Sequence, residues 1–115
     1  MGVAGLRRAP LGASVGGMVA ILIIDRDAAL RLAARRVLEA AGFAVTEAPA
    51  LGASAPADLV IADPAAANAA ALRRLHPCAR LLPLADAGLR KPFTGSELLA
   101  AVRLYLARPG GQIAP

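Results

Sequence analysis

Two aspartates and a lysine stand where apolar runs give way to polar loops. Asp25 closes VAILIID, Asp63 closes DLVIAD, and Lys91 sits in LRKPF. Carboxylates are hard oxygen donors for a divalent cation such as Mg²⁺, and an ammonium neutralises the oxygens of an incoming phosphoryl group. Lys91 is the one lysine beside twelve arginines, and a compact, flexible ammonium is not interchangeable with a planar guanidinium at such a site. Plainer readings stand beside this chemistry. Asp25 and Asp27 can cap a helix, Asp63 can open one with Pro64 in its first position, and Lys91 can be a solvated side chain. His76 and Cys78 flank Pro77 in a loop, where surface or packing roles suffice.

The elements that must position these groups alternate in type. Val19–Ile24 is a continuous run rich in Ile, as in a parallel strand buried on both faces. Asp27 then caps a helix over 28–41, in which Leu30, Ala33, Ala34, Val37 and Ala41 share a face and Gly42 supplies the stop. Strands follow at 43–47 and 59–62, a helix at 65–75, a fourth strand at 81–84 weakened by Pro83, and a fifth at 89–91. Thr94-Gly95-Ser96-Glu97 is a capping box opening a helix to about 107, with Leu98, Leu99, Val102, Tyr105 and Leu106 turned inward. Strand and helix in alternation predict an α/β fold with an open, doubly wound parallel sheet. Its site then lies outside the carboxyl ends of the strands, where Asp25, Asp63 and Lys91 fall.

Length and composition narrow the classes. The 115 residues make one domain, 57% apolar, with 30 alanines, no Trp and three other aromatics, so the core must be aliphatic and small. Such hydrophobicity excludes intrinsic disorder, a lone Cys78 excludes a disulfide scaffold, and no uncharged apolar run is long enough to span a bilayer. The net charge of +5 is scattered along the chain, without zinc-finger spacing or base-stacking aromatics, which argues against specific nucleic-acid recognition. Residues 1–17 read as a disordered leader or start-site extension, 18–108 as the domain and 109–115 as a flexible tail. Arg7-Arg8 before an uncharged stretch imitates a secretion signal, but the stretch runs into Asp25-Arg26-Asp27 without a cleavage site and its second half is needed as a strand. A cytoplasmic location is expected.

Three segments carry a family resemblance. ILIIDRDAALRLAARRVLEAAGFAVTEA resembles the opening of a response regulator receiver domain, DLVIAD its phospho-acceptor strand, and LRKPFTGSELLAAV its terminal Lys-Pro-Phe strand and helix. They occur in the family's order and cover residues 19 to about 107. The resemblance implies a flavodoxin-like sheet and a phosphorelay function, with Asp63 accepting a phosphoryl group from a histidine kinase or phosphotransfer protein. It implies that Asp25 and Asp63 hold Mg²⁺ with the backbone carbonyl of Ala65, that Lys91 contacts the acyl phosphate, and that the Lys91–Pro92 bond is cis. A downstream protein target would read the state; no autonomous enzyme activity is implied.

The chain departs from the family pattern at three points. Arg26 stands where the second acidic residue usually stands, so Mg²⁺ affinity should fall. Either Asp27 compensates through a shifted loop, or the guanidinium takes over the cation's electrostatic task and pairs with Asp63. Ala85 replaces the hydroxyl residue after the fourth strand, and Gly88 replaces the switch aromatic three residues before the lysine. The connections are also short. Nine residues, 49–57, lie between strand two and Asp58, and only 85–88 join four and five, where four extended residues span about 13 Å and cannot hold a crossover helix. Reduced helices are expected at both places. These departures leave a second reading open, a degenerate receiver acting as a constitutive protein-interaction module.

Overall fold

A computed structural model describes residues 18–52 and 56–108. The leader expected at 1–17 and the tail at 109–115 lie outside these residues. Four strands form one parallel sheet: β1 (Ala20–Ile24), β2 (Ala44–Ala48), β3 (Leu59–Ala62) and β4 (Arg80–Pro83), in the order β2-β1-β3-β4. Three helices accompany them: α1 (Ala28–Ala40), α2 (Ala69–Leu75) and α3 (Gly95–Ala107). This is the open α/β architecture expected from the alternation of elements.

Burial explains the apolar runs. All five residues of β1 and all four of β3 are buried, because these are the inner strands and both sheet faces are covered. On one face Ile21, Ile23, Leu59, Ile61 and Leu82 pack against Ala34 and Leu38 of α1 and Leu98 and Val102 of α3. On the other, Leu22, Ile24, Val60 and Ala62 meet Ala67 and Leu72. The inward face of α1 centres on Ala34 and Leu38, while Ala33 and Ala41 are exposed. Leu38 lies outside the expected stripe because the buried face is rotated slightly from Ala33 toward Leu38.

Local chemistry sets the helix ends. The Asp27 carboxylate accepts from the backbone N–H groups of Ala29 and Leu30, so this aspartate is the cap of α1. Gly42, at φ 98°, takes the left-handed turn that ends α1 and sends Phe43 N–H back to the Leu38 carbonyl. The capping box of α3 forms in both directions, Glu97 N–H to Thr94 Oγ1 at 3.0 Å and Thr94 N–H to Glu97 Oε1 at 2.8 Å.

Two expectations are corrected. The helix predicted from residue 65 starts at Ala69, since Asn68 caps it through Ala71 N–H; residues 64–67 instead turn back on the Asp63 carbonyl, which accepts from Ala66 and Ala67. Leu89–Lys91 is not a strand. The return from β4 is an irregular turn, with Gly88 N–H on the Ala85 carbonyl and Leu89 N–H on the Pro83 carbonyl. No helix forms between Leu84 and Leu89, as the four-residue link demanded. Pro83 cannot donate to a fifth strand. Gly88 also lies so close that a Cβ there would overlap the Pro83 carbonyl oxygen and come within 2.8 Å of its Cδ.

Candidate functional site

The sheet itself places the two aspartates. One residue beyond β1, Asp25 donates its N–H to the Ala48 carbonyl of β2, and one residue beyond β3, Asp63 donates to the Ile24 carbonyl of β1. Because β1 and β3 are neighbours in register, with Ile24 opposite Ala62, the two carboxylates emerge side by side at the carboxyl edge. Lys91 reaches them from the irregular segment after β4. Its Nζ lies 2.7 Å from Asp63 Oδ2 and 2.9 Å from Asp25 Oδ2. The Lys91–Pro92 bond is cis.

Each carboxylate is also fixed at its other oxygen. Asp25 Oδ1 accepts from Asp27 N–H at 2.8 Å, and Asp63 Oδ1 accepts from Ala65 N–H at 2.9 Å. Asp25 is 1% exposed, whereas Asp63 faces the opening of the site. The hydrogen bond from Lys91, helped by that from Ala65 N–H, holds the Asp63 carboxyl below the ordinary carboxylate range. Asp63 first and then Asp25 raise the Lys91 ammonium above its usual value. Asp63 is therefore an ionised, partly exposed carboxylate at neutral pH, with a cation already against it.

Arg26 turns toward the same site. Its guanidinium donates to the Ala65 carbonyl at 3.0 Å, which is the backbone oxygen expected to complete a metal site, and its charge helps to lower Asp63. Asp27 does not move in to replace the missing acid, since its carboxylate is engaged as the α1 cap. Arg31, which sequence reasoning missed, donates to the Asp25 carbonyl at 2.7 Å and pairs with Glu47 of β2. Nothing in the sequence marks Arg31, because its partners lie on other elements.

The donor set does not suit Mg²⁺. The ion takes near-octahedral oxygen ligands and is disfavoured beside fixed positive charge. Here Lys91 bridges one oxygen of each carboxylate, Arg26 donates to the Ala65 carbonyl, and the position expected for a second acidic residue carries a permanent cation. Among the described residues no group of three metal-ligating side chains comes together. His76 is buried near the far end of α2 and Cys78 is exposed, both away from the carboxyl edge.

The structure is similar to that of a chemotaxis response regulator of Vibrio cholerae, with a TM-score of 0.65 at 19% identity over 76% of this chain and 98% of that one. It is similar also to a response regulator of Thermotoga maritima, with a TM-score of 0.58 at 20% identity over 79% and 99%. No family model matches the chain, and no curated protein does. The fold is that of a receiver domain, in shortened form. No helix among the described residues is long and apolar enough to cross a membrane.

Proposed function

We propose that the chain is a phosphorelay receiver in which Asp63 accepts a phosphoryl group from a histidine kinase or phosphotransfer protein, in the cytoplasm, and passes the signal on by protein–protein contact. The observation that carries this reading is the single ammonium of Lys91 held against two carboxylates at the ends of adjacent parallel strands. Asp63 Oδ2 attacks phosphorus and forms the new P–O bond. The bond from phosphorus to the donor nitrogen breaks, and the imidazole leaves with its electron pair and takes up a proton. Ala65 N–H orients the nucleophile through Oδ1, and Lys91 turns from the attacking oxygen to the equatorial oxygens of the transferring group. Asp25 keeps Lys91 in place throughout.

A second reading, a constitutive interaction module, draws on Ala85 and Gly88. The first lacks a hydroxyl, and the second sits where a side chain would overlap Pro83, so the usual coupling between acceptor and surface is lost. One experiment separates the two. The chain and Asp63→Asn are incubated with acetyl phosphate or a phosphorylated kinase, with Mg²⁺ supplied, and weighed intact. A hydroxylamine-labile phosphoryl adduct on wild type alone supports the acceptor; no adduct from either donor leaves the interaction module.

A further inference from the structure

We infer that Arg26 is a built-in replacement for the divalent cation, so that phosphoryl groups bind and transfer at this site without a metal ion. The inference rests on Asp63 being the acceptor. Three protein oxygens could have faced a cation: one from each carboxylate and the Ala65 carbonyl. Lys91 already donates to the first two and Arg26 to the third, so a divalent ion reaching them would meet two positive charges. The charges already balance, two carboxylates against one ammonium and one guanidinium. A divalent ion would have to settle beside a guanidinium that cannot lose its proton. An incoming phosphoryl dianion meets the opposite situation.

The guanidinium also has donors to spare. Five N–H groups in a planar fork suit phosphate oxygens, and the bond to the Ala65 carbonyl uses one arm while the side chain as a whole stays exposed. That bond ties the head group to the residue two positions after Asp63, whose carboxyl feels its charge. Lys91 thus holds Asp63 Oδ2, and Arg26, anchored on the carbonyl two residues further along, adds a second, weaker positive influence on the same carboxyl. Together they offset the repulsion between a carboxylate nucleophile and an anionic donor.

The test is the rate of adduct formation from acetyl phosphate, followed by intact mass, with EDTA or with millimolar Mg²⁺. Wild type should react at rates differing by no more than about threefold between the two. Arg26→Gln keeps a donor for the Ala65 carbonyl but no charge, and should slow the reaction in EDTA by roughly a hundredfold. Arg26→Asp gathers three carboxylates, and its reaction should require Mg²⁺. A Mg²⁺ titration followed by amide NMR should leave Asp25, Asp63 and Ala65 unmoved in wild type and shift them in Arg26→Asp. Wild-type transfer that needs Mg²⁺, Mg²⁺-induced shifts in wild type, or full activity of Arg26→Gln in EDTA would each overturn the inference and leave Asp63 as acceptor. No adduct in either condition overturns both.

Discussion

Asp25 and Asp63 share one ammonium but not one environment. Lys91 Nζ is within 2.9 Å of both, yet the Asp25 side chain is 2% exposed and that of Asp63 is 20% exposed. The inner carboxylate is closed off from solvent, and the outer one is partly open to it. Their responses to mutation should therefore diverge. Lys91→Ala leaves a buried carboxylate without its cation and should cost about 1–3 kcal/mol. Asp63→Asn leaves Lys91 paired with Asp25 and should change stability by no more than about 0.5 kcal/mol. Urea unfolding of the two variants beside wild type checks the order.

The same pair sets a pH window. Asp63 is lowered from the usual 3.8 by Lys91, so its contribution to stability is present above that value and is lost as pH falls through the lower folded-state value. Lys91 is raised from 10.5 by Asp63 and Asp25, so its contribution is full below 10.5 and is lost as pH rises through the higher folded-state value. The site should hold unchanged between about pH 5 and pH 9. Carbon NMR of the Asp63 carboxyl should give a midpoint below 3.8, moving up toward it in Lys91→Ala.

Gly88 should tolerate no side chain. Its missing Cβ lets the return from β4 fold back on Pro83, and the nearest obstacle is backbone, which cannot swing aside. Gly88→Ala should cost about 1–3 kcal/mol by forcing the turn outward. Because Lys91 follows three residues later, the variant should also raise the Asp63 carboxyl midpoint as the ammonium withdraws. NMR and denaturant titrations read both effects.

Thr94→Ala removes one half of the capping box and leaves the Glu97 N–H without its side-chain acceptor. A loss of about 1 kcal/mol is expected from such a cap. Thr94→Ser, which retains the hydroxyl, should restore most of it in thermal or urea melts.

Legibility followed the range of the interactions. The α3 cap could be read because its partners are three residues apart, and the Asp27 cap for the same reason. Asp25 and Asp63 could be placed because strand ends in a parallel sheet share one edge, a property of pattern rather than of contact. The hydrogen bond from Arg26 to Ala65 spans 39 positions and involves a backbone oxygen, which leaves no mark in the sequence. The expected fifth strand failed on a tertiary encounter. Leu89–Lys91 has strand-like neighbours, but Gly88 against Pro83 consumes the length a ladder would need.

The shortened return has a final consequence for β4, which it leaves at the rim of the sheet. A rim strand with open backbone groups invites another chain to add itself, the first step toward aggregation. Here both ends are stopped. Arg80 folds over to the Arg108 carbonyl at 2.9 Å, while Pro83 offers no N–H and gives its carbonyl to Leu89. Only Leu81 and Leu82 lie between these stops, too short a run to hold a foreign strand in register. The rim strand of this four-stranded sheet is thus closed at both ends to a stranger's strand.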